Sequence, residues 1–432
     1  MKRFLKNITS ALLLTTMVGT SLLGMSGCGK KDNKDSEAFS PRLDTQSQVV
    51  LNVTGFFGNF EALDQVTNDF NKYYPNVEFN YEQISIENYE SYMEANPNVD
   101  IMMTSEEVFD KYGDKVKDYC IDLNKENINT SAIDEKMLSR GYHDGKLLSI
   151  PMGQNLYGLV VNVSLLEKEG LSVPSTYDEF INVLTVLRSK GYTPIQGPNS
   201  KVYAELTQGM AYDMIMNDKD LYNDLTAGKD SAVDKLQTVY DKLDVLVNNG
   251  FIDYELNKSY PNDNYDKAIL KFFEGDVPFW VCNTEKVSGM KKRESKSEAF
   301  QANPFTYTYI HAPLGKNGTY AYSEPWFGFA ANKNGSNSDY ALEFLRFLAT
   351  KDEINKIAEI KGVPSVAVDG TNADIYKDVL NPEKTEMNYI NDGTITTTMS
   401  SGWYTSINKY ITGEFGSSKE ALQYYVKLCS KK

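Results

Sequence analysis

The feature that most constrains this chain is an alternation, repeated along its length, of strand-sized apolar runs with amphipathic helical stripes. Val49-Val50-Leu51-Asn52-Val53 has strand length, and the turn-like Thr54-Gly55-Phe56-Phe57-Gly58-Asn59 follows it. Phe60, Leu63, Val66, Phe70 and Tyr74 then recur at helical spacing behind Asn59, which is able to cap. Pro75-Asn76 closes that segment, and Val77, Phe79 and Tyr81 alternate as a second strand. Strand-like runs return at residues 99–103, 147–152 and 157–162, the second leading into Gly153-Gln154-Asn155. Thr176 with Glu179 forms a capping box for a helix carrying Phe180, Val183, Leu184 and Leu187, with Gly191 as its stop. Tyr340, Ala341, Phe344, Leu345 and Leu348 make another stripe, and Thr350 with Glu353 opens a further helix that ends around Gly362. This pattern predicts an α/β sheet covered by helices. The 432 residues less a 27-residue leader leave 405, too many for one hydrophobic core, so two lobes are expected.

The leader is read from Lys2, Arg3 and Lys6 ahead of an apolar stretch from Ile8 to Leu23. Its end, Met25-Ser26-Gly27-Cys28, resembles the lipobox of bacterial prolipoproteins, which implies lipid (palmitate-type acyl) attachment at Cys28 after removal of residues 1–27. Thr, Ser and Gly within the run make it a poor span for a core of about 30 Å. Residues 28–48 then form the lipidated Cys and a tether almost free of apolar side chains, too polar to repay its own ordering. The expected location is the extracytoplasmic face of the cell membrane, lipid-anchored.

A net charge of -15 argues against a nucleic-acid partner, because phosphate binding needs clustered Lys and Arg. Beyond Cys28, the thiols Cys120, Cys282 and Cys429 are scattered singly without C-x-x-C spacing, so neither a disulfide framework nor a zinc site is implied. No cofactor and no metal are expected.

The chain is similar, from Val49 to Leu428, to the maltose-binding-like (family 1) extracellular solute-binding proteins that feed ATP-binding-cassette importers. LNVTGFFGNFEALDQVTNDFNKYYPNVEFNYEQI resembles the family's first strand, ligand loop and helix, and NPNVDIMMTS its second ligand strand. GKLLSIPMGQNLYGLVVNVSLLEKEGLSVPSTYDEFINVLTVLRSKGYTPI is similar to the hinge strand and the helix after it. AILKFFEGDVPFWVCN and WFGFAANKNGSNSDYALEFLRFLATKDEINKIAEIKGVPS match a later strand and the return helices. The resemblance implies a two-lobed periplasmic-binding-protein-like (type II) fold with a hinge and an interlobe ligand cleft. The N-lobe would combine 49–153 with 327–367, and the C-lobe 154–326 with 368–432. Crossings would lie near 153–155, 324–328 and 365–371. The implied partners are a carbohydrate ligand, expected to be an oligosaccharide, an importer permease and through it the ATPase. The protein is expected to be a monomer.

Sugars offer apolar C–H faces and polar rims, so their sites combine flat aromatic platforms with carboxylates or amides. Phe56, Phe57 and Asn59 occupy the loop after the first strand, where open sheets usually bind ligands, and one of the two phenylalanines is expected to face ligand. Thr104 and Glu107 follow the second ligand strand in the same way. On the resemblance, Asn155 corresponds to a polar hinge residue that touches sugar and Trp403 to a stacking aromatic, and Trp280 and Trp326 join them as candidates. Where relatives place an aromatic after the glycine matching Gly275, this chain has Glu285, so a second platform is absent or supplied by Trp280 or Trp403.

Two other functions fit the same composition. A surface glycoside hydrolase needs only two suitably spaced carboxylates, which 59 acidic residues make uninformative. Against catalysis, the chain has no G-x-S-x-G, H-E-x-x-H or P-loop motif, and His143 and His311 lie far apart in sequence. A peptide carrier on the same scaffold is the other, because fold does not specify ligand.

Overall fold

The computed structural model describes residues 39–58, 61–198, 201–260, 265–380, 387–390 and 393–430. The leader, Cys28, the tether up to residue 38 and Asn59 lie outside the described residues. Among the described residues eleven strands run in chain order: β1 (Val49–Gly55), β2 (Val77–Gln83), β3 (Ile101–Thr104), β4 (Tyr142–His143), β5 (Lys146–Leu147), β6 (Ile150–Asn162), β7 (Ile195–Gln196), β8 (Phe279–Asn283), β9 (Tyr307–Ile310), β10 (Tyr320–Ala331) and β11 (Met387–Ile390). β4 and β5 pair separately. The other nine form one mixed sheet in the order β2-β1-β3-β10-β6-β8-β7, with β11 beside β10 and β9 beside β6. β1 is parallel to β2 and β3, whereas β10 and β6 are antiparallel to each other.

The two runs expected at 147–152 and 157–162 are largely one strand, β6, 13 residues long. Gly153 in its middle has φ 66, a kink that glycine accepts without strain. The chain does not reverse there because β10 supplies a ladder on both sides of the kink, setting Phe327 opposite Met152 and Glu324 opposite Asn155.

Elsewhere the local signals act as expected, with two exceptions. The Thr176/Glu179 capping box is formed and opens helix Tyr177–Ser189. At Thr350 the box is absent, because the hydroxyl donates backward to the Phe347 carbonyl at 2.8 Å. Glu353 instead turns inward and accepts from Lys356 Nζ at 2.6 Å. The first helix spans Glu61–Phe70, so Tyr74 lies beyond it, buried, with its hydroxyl donating to Glu343 Oε1 at 2.5 Å.

Core packing divides in two. Leu51, Phe70, Met103, Ile150 and Met152 gather with Phe327, Phe344 and Ile354, and Tyr89, Met102, Val108 and Leu148 cover the other face of that part of the sheet. Leu159, Phe180, Tyr212, Phe279 and Tyr322 gather with Trp403 and Tyr425, and Val160, Phe273, Trp280 and Tyr309 pack on the opposite face. Each buried Leu or Phe of this kind contributes roughly 1.5–3 kcal/mol. β6 and β10 belong to both sets, so the two halves share their central strands. Cys120 and Cys282 are buried and Cys429 is partly buried. Burial pushes Cys120 and Cys429 up to about 12, which leaves them protonated and inert. Among the described residues no helix is long and apolar enough to cross a membrane.

Candidate ligand-binding site

The pairing of Asn155 with Glu324 marks where β6 and β10 pass from one core to the other. Side chains from both halves converge around it. In the first half, Phe57 and Trp326 lie with ring centroids 5.0 Å apart, and Phe57 also meets Phe327 edge-on at 5.2 Å. Tyr81 holds the Phe57 loop by donating its hydroxyl to the Phe57 carbonyl at 2.7 Å. Lys361, the last residue of helix Lys351–Lys361, places its ammonium 4.7 Å from the Phe57 centroid and 5.1 Å from that of Trp326. Burial pushes its pKa down, and the charges of Glu285 and Glu61 pull it back.

On the same side, Ser105 caps helix Glu106–Tyr112 by accepting from Val108 N–H. Glu106 is thereby turned inward to Arg140 Nη2, 2.5 Å away. Burial raises Glu106 to about 7, although Arg140 opposes the shift.

In the second half, the Glu324 carboxylate accepts from the hydroxyls of Tyr157 at 3.1 Å and Tyr322 at 2.9 Å. Its pKa is raised by burial in spite of these two donors. Asn155 Nδ2 donates to the Tyr157 hydroxyl at 3.3 Å, and Thr284 donates to Asn155 Oδ1 at 3.3 Å, so Asn155 braces the tyrosine. Helix Lys201–Asn217 brings Glu205 and Gln208 to the same wall, one turn apart. It can approach closely because Gly209 faces β10, where a Cβ would stand 3.1 Å from the Tyr320 carbonyl oxygen. Gln208 Oε1 accepts from the hydroxyl of Tyr404, on helix Thr397–Ile411, at 3.1 Å. Burial raises Glu205 to about 7.

Of the residues expected at the site, Phe57, Trp326 and Asn155 are brought together here. Phe56 packs edge-on behind Phe57, with centroids 5.2 Å apart, and against the cluster of Tyr89 and Val108. The other four described candidates take different surroundings. Thr104 is buried, its hydroxyl hydrogen-bonded to Ser149 Oγ at 2.7 Å. Glu107 is exposed, because burying Val108 and Phe109 turns it outward and leaves Glu106 facing in. Trp280 is 0% exposed in the core, beside Tyr260 at 5.2 Å. Trp403 is also 0% exposed, stacked edge-on with Tyr425 and Tyr240, its indole N–H donating to Thr207 at 3.3 Å. Its neighbour Tyr404 is the residue that reaches the wall. Glu205, Gln208, Tyr157, Glu324, Arg140 and Lys361 were not singled out from the sequence. The one signal for the first two was a pair of polar residues three apart within a helix otherwise buried almost all round.

RafE from Streptococcus pneumoniae superposes with a TM-score of 0.65 at 15% identity, over 90% of this chain and 100% of that one. A family 1 extracellular solute-binding protein from Bifidobacterium longum subsp. infantis gives 0.66 at 18%, over 88% and 99%. A sugar transporter from Bacillus licheniformis, in complex with stachyose, gives 0.62 at 17%, over 88% and 98%. At these identities the likeness establishes the two-lobed α/β fold. Residues 65–382, more than half of the chain, match the family of binding proteins described as bacterial extracellular solute-binding protein, and this chain belongs to that family.

Proposed function

We propose that this protein captures a carbohydrate, specifically an oligosaccharide, between its lobes and delivers it to the permease of an ATP-binding-cassette importer. The observation that carries this reading is the convergence, at the β6–β10 crossing, of the Phe57–Trp326 ring pair with Glu324, Tyr157, Glu205 and Tyr404. Aromatic faces take sugar C–H surfaces, and carboxylates and phenols take hydroxyls. RafE in complex with raffinose has the same fold, as does the stachyose complex. On this reading the moving bodies are 49–153 with 327–367 and 154–326 with 368–432, turning about the crossings. The protein acts as a monomer held outside the cytoplasmic membrane by acylated Cys28, and it releases its ligand without hydrolysing it.

A thermal-shift screen of mono- and oligosaccharides against short peptides tests the ligand class. A ligand present at about 100 times its Kd adds about 2.7 kcal/mol of stability. A positive peptide with a silent sugar panel would overturn the reading, and release of shorter saccharides on incubation would overturn the non-catalytic part. Labelling of the wild type, but not Cys28→Ser, with a palmitate analogue is the expected result for the anchor.

A further inference from the structure

Residues 39–48, the last ten of the segment expected to be tether, lie fastened on the first packing centre. The Phe39 ring stands edge-on to Tyr73 and to Phe347, each at 5.0 Å between centroids, and the Arg346 guanidinium lies 4.0 Å from its centroid. Arg346 Nη2 also donates to the Ser40 carbonyl at 2.6 Å. Next along the chain, the Arg42 N–H donates to the Tyr74 hydroxyl at 2.8 Å and to Glu343 Oε1 at 3.1 Å. The Leu43 N–H donates to the same hydroxyl at 3.1 Å. Asn76 Nδ2 donates to the carbonyls of Asp44 at 3.2 Å and Ser47 at 2.7 Å, and the Tyr340 hydroxyl donates to the Asp44 carbonyl at 2.7 Å.

The receiving surface is built to hold main chain. Tyr74 is 0% exposed, Asn76 3% and Glu343 5%, and buried polar groups of this kind need partners, which the backbone of 39–48 supplies. Glu343 is the one buried acid on helix Ser338–Leu348, whose other buried residues are all apolar. Its charge is offset by Arg346 at 2.5 Å, the same guanidinium that covers Phe39. Every partner named here falls within 49–153 or 327–367, so the segment joins the chain's entry to a single lobe.

We propose that residues 39–48 are a strap that sets the reach of the membrane-anchored protein. The inference rests on the acylation of Cys28 proposed above. With the strap fastened, the leash is the covalent chain from Cys28 to Phe39, eleven steps of at most about 3.6 Å, or about 40 Å in all. Unfastened, the leash extends to Val49, and its greatest reach becomes about 75 Å. The effective concentration of a tethered partner falls roughly as the −3/2 power of leash length, so release dilutes the protein about 2.5-fold at a permease in the same membrane. The strap thus keeps the binding lobes close to the membrane that carries the importer.

The experiment places the full-length lipidated protein in vesicles of phosphatidylglycerol and phosphatidylcholine and compares wild type with two variants, Phe39→Ala/Tyr340→Phe and Arg42→Pro. The first empties the ring socket and removes a donor, and the second removes the Arg42 N–H. Hydrogen exchange reads the strap. The Leu43 amide is expected to be protected in wild type and to exchange at least about tenfold faster in both variants, with the Val53 amide in β1 unchanged as the control for folding. Energy transfer from a headgroup dye to a dye on Lys136→Cys, an exposed position on the strapped lobe, reads the leash. Transfer is expected to fall in both variants. Exchange of Leu43 at the free-chain rate in wild type overturns the strap. Faster exchange with unchanged transfer overturns its effect on reach. A wild type that takes up no palmitate analogue fails at the anchor, and the leash role falls with it, whereas the exchange result still decides whether the strap exists.

Discussion

Neighbouring residues part company at this site. Glu107 and Trp403 face away from the cleft, and Glu106 and Tyr404 face into it. On a helix one residue is about 100° of rotation, so adjacent residues present different faces. Two truncations should therefore behave oppositely. Trp403→Ala is expected to lower unfolding stability by about 3–5 kcal/mol in denaturant melts, because it empties a sealed core position. Trp326→Ala is expected to keep the fold and weaken ligand about tenfold, or about 1.4 kcal/mol, in titration calorimetry. Much of the first-half platform was legible in the sequence, since Phe57 and Trp326 are aromatics in or beside expected turns. Glu205 and Gln208 were not, because their helix is buried nearly all round and shows no apolar stripe against which a polar face would stand out. His311 offers a pH test. Its ring lies between the carbonyls of Tyr157 and Val379, and burial lowers it from 6.5 to about 4. A depressed histidine contributes stability that is complete above the unfolded pKa and is lost as pH falls. About 3 kcal/mol should therefore disappear between pH 6.5 and 4, and less in His311→Gln, as read from urea midpoints.

At the scale of elements, local chemistry served well where it was self-contained and failed where a partner strand decided. The Thr176 box needs nothing beyond its own first turn, and Thr176→Ala should cost about 1 kcal/mol in thermal melts. The Thr350 pattern looks identical in sequence, but burial of Glu353 beside Lys356 and Asp69 outcompetes the cap. Likewise Gly153 would end an isolated strand, whereas β10 carries β6 through it. Gly153→Ala combines a positive φ with a Cβ 3.1 Å from Val363 Cγ2, and about 1–2 kcal/mol of destabilisation is expected in denaturant melts.

At the scale of the whole molecule, the division into two packing centres was legible from length and alternation, and the pairing of β6 with β10 was not, because strand pairing between distant segments leaves no mark on local periodicity. Closure about those strands predicts a smaller radius of gyration in small-angle scattering once a bound oligosaccharide is added. The sheet order has a further consequence, for the time at which the protein can fold. β3 lies beside β10, with Thr104 opposite Gly328, and the first packing centre also needs Phe344, Ile354 and Val366. A nascent chain that stops short of these residues holds β1, β2 and β3 but lacks the strand and helices that seal them. Such long-range closure is intrinsically slow. Synthesis order thus leaves β1, β2 and β3 without the strand and helices that seal them until most of the last third of the polypeptide has been made.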